Sequence, residues 1–198
     1  MDDVLVFSKT LDEHMEKLER VFQRFQDHGL TVNPRKTSLL QREVTFLGHQ
    51  ISAGGVRPDR RLVAAVADYP TPKDKAALRT FLGLAGYYSH FISRFAEITA
   101  ALADLTAKAA EWRWDEEHQE AFENVRKLLT NRPVLHHPDF TRPFVVQTDY
   151  SSQAIGAVLS QRDDDDNEYP VAYQSRKCRG RRSRTQLDTA KRWPSGTL

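Results

Sequence analysis

Two adjacent carboxylates, Asp2 and Asp3, lie at the start of the chain and run directly into the apolar residues 4–7. Neighbouring side chains on a strand point to opposite faces, so both carboxylates can reach one site only from a tight turn. Such a pair suits divalent cations like Mg²⁺, which bind a few carboxylates together with substrate phosphates. The alternative is a solvated chain end with no chemistry.

A second acidic run, Asp163–Asp166, separates two β-like segments. Four carboxylates in a row suggest a metal site, but nothing in the sequence fixes their geometry, and a solvated hairpin loop is the favoured interpretation. The single cysteine, Cys178, excludes an intrachain disulfide and a cysteine-based zinc site.

The composition is typical of a globular chain inside the cell. Of its 198 residues, 39% are apolar and 28% are charged. No apolar run approaches the ~18 residues of a membrane span, and the acidic start does not resemble a secretory signal. The sequence therefore predicts a cytoplasmic or nuclear protein that is not secreted and has no membrane partner.

Positive charge is concentrated at the C-terminal end of the chain. Residues 176–198 contain eight Lys or Arg and one Asp, whereas the whole chain has a net charge of only +2. Two interpretations of this basic tail stay open: a solvated segment, or one that binds nucleic acid or directs the protein to the nucleus.

The pattern of residues 1–55 predicts a β-α-β-β unit. A strand at residues 4–7 precedes a capping box at residues 10–13, and apolar residues then recur at helical spacing until Gly29 ends the helix. A strand pair follows within Val44–Ser52, and the helix is expected to pack on the sheet.

Residues 56–110 read as helical, with helices starting near Arg57 and near Thr71. The second helix carries one long apolar stripe, interrupted by Gly83 and Gly86. A mid-helix glycine costs roughly 1 kcal/mol relative to alanine. That cost indicates close approach by another backbone, either a packed helix or a nucleic-acid strand.

The remaining sequence predicts a helix followed by a sheet. Asp115 can cap a helix with an apolar face, and β-like runs follow at 144–149, 154–161 and 171–175. In the first of these strands, Asp149 shares a face with Val145 and Gln147.

The order of motifs resembles the polymerase-to-ribonuclease H portion of reverse transcriptases from gypsy-type long-terminal-repeat retrotransposons. Residues 1–8 resemble the Y-x-D-D box without its tyrosine. The other matching segments are 29–36 after the palm helix, 46–52 of the primer-grip hairpin, 78–88 of the thumb helix, and 143–151, 156–161 and 170–177 of the ribonuclease H-like domain.

The resemblance implies a role for each matching residue. Asp2 and Asp3 would bind two Mg²⁺ ions for nucleotidyl transfer, and Asp149 would be the first metal carboxylate of the ribonuclease H site. Lys36 is a candidate phosphate contact or proton donor to pyrophosphate. The segment Phe46, Leu47, Gly48 and His49 would lie along the primer backbone, where glycine allows close approach.

The expected fold is α+β: a partial palm and a helical thumb, followed by an incomplete RNase H-like mixed sheet. The predicted divisions are 1–55 for the palm with its hairpin, 56–110 for the thumb, 111–178 for the RNase H-like domain, and 179–198 for a divergent basic tail. The expected partners are RNA or DNA template-primer, RNA–DNA hybrid, and further copies of the chain through exposed sheet edges.

The departures from the family pattern predict a chain truncated at both ends and inactive alone. The family takes further catalytic carboxylates from upstream and downstream segments, and Asp188 is a poor substitute for the missing glutamate. A frameshifted reading would explain the tail. Two alternatives stay open: a non-catalytic module that binds nucleic acid through the thumb, hairpin and tail, or a remnant without activity.

Overall fold

The structure is a computed structural model that describes residues 3–131 and 133–178. Helices alternate with two small antiparallel sheets, so the predicted α+β class is confirmed. None of the helices in the described ranges is both long and apolar enough to cross a lipid bilayer. The basic tail, including Asp188, lies outside the described residues.

The first helix, α1 (Leu11–Asp27), begins and ends where the sequence predicts. The Thr10 hydroxyl accepts from the Glu13 backbone N–H at 3.3 Å. At the other end, Gly29 has a φ of +65°, and the Leu30 N–H reaches back to the Phe25 carbonyl. This pattern is a Schellman motif, which satisfies the last helical carbonyls.

Two predictions for the N-terminal unit are wrong. Val4 and Phe7 lie in an irregular segment and are 61% and 75% exposed, because no strand in the described ranges pairs with them. The helix α1 does not bury its apolar face against a sheet: Leu18 is its only buried residue, while Met15 and Phe22 stay exposed.

The first sheet is a meander of β1 (Glu43–Phe46), β2 (His49–Ser52) and β3 (Gly55–Pro58), in that order. The strand β3 occupies the place where a helix start was expected at Arg57. The helix α2 (Arg60–Ala67) begins after it, with Asp59 as its N-cap. Pairing of β3 with β2 keeps Arg57 and Pro58 extended, so of the three expected start residues only Asp59 starts the helix, as its N-cap.

The long apolar stripe predicted from residue 78 onward divides into several short elements. The helix α3 (Lys75–Tyr87) starts three residues after Pro72, because Asp74 supplies the N-cap. A 3₁₀ turn (Ser89–Phe91), α4 (Phe95–Ile98) and α5 (Ala100–Leu105) follow.

The C-terminal half confirms the predicted helix and three strands. The helix α6 (Glu116–Thr130) is capped by Asp115. The strands β4 (Val145–Tyr150), β5 (Ala154–Arg162) and β6 (Glu168–Lys177) form the second antiparallel sheet, in that order.

One hydrophobic core joins the helices of the middle of the chain to this second half. The Phe81 ring of α3 contacts the Phe122 ring of α6, with centroids 4.6 Å apart, and Tyr173 of β6 packs against the same cluster. The linker after α6 pairs with both sheets: Leu135 exchanges two backbone hydrogen bonds with Val56 of β3, and the His136 N–H donates to the Pro170 carbonyl of β6. The linker thereby ties the hairpin sheet to the second sheet.

Candidate nucleic-acid interface and catalytic carboxylates

The hairpin between β1 and β2 rests on the C-terminal end of α3. Its two-residue loop, Leu47 and Gly48, has positive φ values of 44° and 69°, as type I′ hairpin turns require. The Tyr87 hydroxyl donates to the Leu47 carbonyl at 2.6 Å, and the Tyr88 hydroxyl donates to the Gly48 carbonyl at 2.7 Å. The structure thus places the expected primer-grip residues on the expected thumb helix.

The close approach at Gly48 is made by protein. A Cβ at this position would lie 3.2 Å from Cε1 of Tyr87 and 3.3 Å from Cδ1 of Leu62. The turn geometry and the Tyr87 ring explain the glycine at position 48 without a nucleic-acid strand, and contact of this segment with the primer backbone stays a prediction.

His49 contributes its ring to an aromatic cluster. Its centroid lies 5.4–5.7 Å from four neighbouring rings, those of Tyr87, Tyr88, His90 and Phe91. Its Nδ1 is 2.6 Å from the Leu47 carbonyl oxygen. The arrangement makes His49 a support for the hairpin turn, with its ring held by protein on several sides.

Burial shifts the titration of two members of this cluster. Desolvation raises the pKa of Tyr88 to about 12. Desolvation also lowers the pKa of His90, and the neighbouring His49 adds to that effect. Both groups therefore stay neutral at physiological pH, and the Tyr88 hydroxyl keeps its proton for the Gly48 carbonyl.

Leu47 and Lys36 are the most accessible of the predicted contact residues. The Leu47 side chain is 52% exposed at the tip of the hairpin. Lys36 is exposed in a short 3₁₀ helix (Pro34–Lys36), whose first turn is capped by the Asn33 side chain. Both side chains are free to meet a partner from solvent.

The two helical glycines of α3 face open space. A Cβ at Gly83 or at Gly86 would have no heavy atom within 4 Å outside its local helix. The packed-helix explanation is therefore wrong for the described part of the chain. Gly83 and Tyr87 are four residues apart and share one face of α3, so a bare stretch of helix leads up to the hairpin tip.

Asp149 lies near the end of β4, exposed and paired in register with Gly156 of β5. It lines a shallow pocket together with Arg94, Glu97 and Ser175. Arg94 forms two hydrogen bonds to Glu97, at 2.6 and 2.7 Å. This ion pair raises the pKa of Arg94, with a smaller contribution from Asp149.

Sequence reasoning missed the residues that surround Asp149. Arg94 adopts a left-handed conformation with φ of 57°, which is uncommon outside glycine, asparagine and aspartate. No glycine or turn signal marks this position. The neighbourhood of Asp149 therefore becomes visible only after α4 packs on the second sheet.

The two carboxylates predicted for a polymerase metal site are described only in part. Asp2 lies outside the described residues, and Asp3 is exposed in the irregular segment that precedes α1. Within residues 3–131 and 133–178, no group of three or more His, Cys, Asp or Glu side chains could hold a metal ion. The described carboxylates do not by themselves fit an Mg²⁺ site.

The run Asp163–Asp166 forms the loop between β5 and β6, as predicted. Asp163 accepts hydrogen bonds from the backbone N–H groups of Asp165 and Asn167, while Arg142 and Arg162 pair with Asp164 and Asp166. Asp163 thus shapes the hairpin loop, and the two arginines offset part of its negative charge.

Comparisons with known proteins support the same assignment. The family model of the reverse transcriptase (RNA-dependent DNA polymerase) matches residues 1–51. The model of the RNase H-like domain found in reverse transcriptase matches residues 114–189. The Tf2-3 and Tf2-4 transposon polyproteins of Schizosaccharomyces pombe are each 38% identical over 188 residues, which cover 95% of this chain and 14% of each relative.

Solved structures share the fold. A foamy viral protease-reverse transcriptase in complex with double-stranded DNA superposes with a TM-score of 0.74 at 28% identity, covering 86% of this chain and 30% of that chain. The same type of protein in complex with RNA/DNA hybrid gives 0.72 at 27% identity, covering 87% and 24%. The chain therefore corresponds to a segment of a retrotransposon polyprotein that carries reverse transcriptase and RNase H-like domains.

Proposed function

We propose that this chain binds the template-primer duplex of a gypsy-type retrotransposon, or its RNA–DNA hybrid, along α3 and the hairpin tip. The observation that carries the proposal is the helical face at Gly83 and Gly86, which no residue within 3–131 and 133–178 covers and which leads to Tyr87 beneath the tip. A backbone without side chains lets a nucleic-acid strand come closer than any other residue allows.

Two further observations support a duplex as the partner. The foamy viral relatives were solved with double-stranded DNA and with RNA/DNA hybrid. In this chain, the exposed Leu47 side chain lies at the hairpin tip, while Lys36 remains a candidate for a phosphate contact or for proton donation to pyrophosphate. Binding through phosphates predicts an affinity that falls steeply as salt rises.

The catalytic part of the proposal concerns Asp2, Asp3 and Asp149. We assign Asp2 and Asp3 to the polymerase metal site and Asp149 to the ribonuclease H site, both with Mg²⁺ as the cation. We also propose that the 198-residue chain is inactive alone. The support is that the Asp149 pocket contains the Arg94–Glu97 ion pair, so the other carboxylate that lines this pocket is already bound to a guanidinium.

The proposal includes the domain divisions at residues 55, 110 and 178 and a location in the cytoplasm or nucleus.

The proposal also includes self-association of the chain at high concentration. The exposed apolar side chains Leu11, Met15 and Phe22 of α1 and the outer edge of β4 support that behaviour. Sedimentation at increasing concentration tests it, and a constant monomer mass contradicts it.

The glycine face is tested by the substitution Gly83→Ala. Alanine suits a helix better than glycine, so the variant should be as stable as the parent or more so. Its affinity for a primer-template duplex should nevertheless fall by about fivefold or more, since that loss equals roughly 1 kcal/mol of contact. Fluorescence anisotropy at two salt concentrations measures it.

Gly54→Ala is the matched control, because a Cβ there meets only the Ser52 side chain, at 3.8 Å. Unchanged binding by Gly83→Ala would remove the helix face from the interface.

Primer extension and hybrid cleavage with Mg²⁺ test the catalytic claim separately. Any incorporation or cleavage by the 198-residue chain contradicts its proposed inactivity.

A further inference from the structure

Two consecutive tyrosine hydroxyls at the end of α3 bind two consecutive carbonyls of the hairpin turn. Tyr87 donates to Leu47 at 2.6 Å and Tyr88 donates to Gly48 at 2.7 Å. We infer that this pair of hydroxyls is a positioning device, which fixes the hairpin tip to α3 so that the turn and the helix move as one body. The functional consequence rests on the proposed duplex binding.

The turn needs such a restraint because its backbone is strained. Leu47 has a φ of 44°, a left-handed conformation that is strained for a residue with a bulky side chain and persists only when the surroundings impose it. Glycine would relieve the strain, but it would also remove the exposed side chain that projects from the tip. The position is occupied by leucine, and the Tyr87 hydroxyl of α3 donates a hydrogen bond to its carbonyl.

Each of the two carbonyls accepts a second hydrogen bond from a residue outside α3. The Leu47 oxygen lies 2.6 Å from Nδ1 of His49, and the Gly48 oxygen accepts from the Asp59 N–H at 3.0 Å. The His49 contact lies within the hairpin and the Asp59 bond joins the turn to the start of α2, whereas the tyrosine hydroxyls supply the hydrogen bonds that connect it to α3. Removing a hydroxyl should therefore release the turn from the helix without unfolding either.

The two tyrosines differ in burial, so substitution of each one tests the hairpin connection differently. The Tyr88 ring is fully buried, whereas Tyr87 is 49% exposed. Tyr87→Phe removes one hydroxyl and keeps the ring that packs against Gly48, so this variant isolates the connection itself. Tyr88→Phe also touches the core, and it serves as the second variant.

Hydrogen exchange of the full chain tests the device without any nucleic acid. In Tyr87→Phe, amides of residues 46–52 should exchange about fivefold faster, the effect of losing one hydrogen bond of about 1 kcal/mol. Amides of α6 should not change. Tyr69→Phe is the matched control, because Tyr69 also donates to a backbone carbonyl, that of Ala77 at 3.0 Å, near the other end of α3.

The outcomes separate this inference from the proposed function. Faster exchange confined to the hairpin supports the positioning role, and an equal change at every amide, or none, overturns it. Duplex affinity is measured on the same variants. If the unsubstituted chain binds no duplex, the proposed function fails, while the exchange result still decides whether the hydroxyls join the turn to α3. If Tyr88→Phe does not fold, Tyr87→Phe decides alone.

Discussion

At the scale of single residues, glycines serve opposite purposes in this chain. Gly55 has a φ of +117°, and a Cβ there would lie 2.3 Å from the Leu135 carbonyl oxygen. Glycine is required here because a side chain would clash with Leu135, whose backbone is hydrogen-bonded to Val56 of β3. Gly83 and Gly86 adopt ordinary helical backbone and face open space, so no contact within the described chain requires them.

The first prediction compares two glycine-to-alanine substitutions. Gly55→Ala should lower the free energy of unfolding by about 3 kcal/mol, through backbone strain and the clash with Leu135. Gly83→Ala should raise it by about 0.5–1 kcal/mol, because alanine loses less entropy in a helix. Urea unfolding measures both changes. A neutral result for Gly55→Ala would contradict the described contact between β3 and the linker.

The second prediction concerns ionisation of Tyr88. Its pKa is raised to about 12, above that of the unfolded chain, because burial disfavours the phenolate. The stabilisation is therefore complete below about pH 10 and is lost as pH rises toward 12, a loss of about 2 kcal/mol.

The difference in unfolding free energy between the parent and Tyr88→Phe isolates this effect from the other groups that titrate at high pH. The parent should lose its advantage over this pH range. Parallel pH curves for the two proteins would show that Tyr88 ionises equally well in the folded and unfolded chain.

At the scale of elements, similar caps start helices with very different burial. Thr10 caps α1 and Asp115 caps α6. Only Leu18 of α1 is buried, whereas Phe122, Val125 and Leu129 of α6 belong to the core. The stability of α6 is therefore part of the stability of the whole core, and that of α1 is largely local.

The third prediction follows from this difference. Asp115→Ala should lower the global free energy of unfolding by about 1 kcal/mol. Thr10→Ala should leave it unchanged and reduce only the helical content of α1. Circular dichroism with urea unfolding distinguishes the two. Equal global effects of both substitutions would mean that α1 is coupled to the core.

At the scale of the whole molecule, one core crosses the predicted boundary at residue 110. Phe81 and Tyr88 lie before it and Phe122 lies after it, all fully buried in one cluster. The linker at Leu135 also pairs with the first sheet. Such a core favours cooperative unfolding of residues 56–178.

The fourth prediction is that Phe122→Ala destabilises α3 and β6 together, by about 3–5 kcal/mol. Native-state hydrogen exchange measures the two elements separately in one experiment. Met15→Ala, at a side chain that is 52% exposed, should change neither. Loss of protection in α3 without a matching loss in β6 would support two independent units.

Local signals in the sequence identified most helices and strands. The capping box at Thr10, the glycine stop at Gly29, the aspartate cap of α6 and the alternation of β4 each depend on neighbours within a few residues. The predictions that failed depended on distant ones. The strand at residues 4–7 required a partner strand, and the helix expected near Arg57 starts at Arg60 because Arg57 and Pro58 pair with β2.

The sequence by itself determined the α+β class, the order of elements and the resemblance to reverse transcriptases, because periodicity, caps and motif spacing are local properties. Only the tertiary structure decided what surrounds each candidate site. It showed that Tyr87 fills the space beside Gly48, that Gly83 faces solvent, and that the Arg94–Glu97 pair lies beside Asp149. The residues in these contacts, Tyr87 with Gly48 and Arg94 with Asp149, are 39 and 55 positions apart, so their encounter depends on packing, which no local pattern encodes.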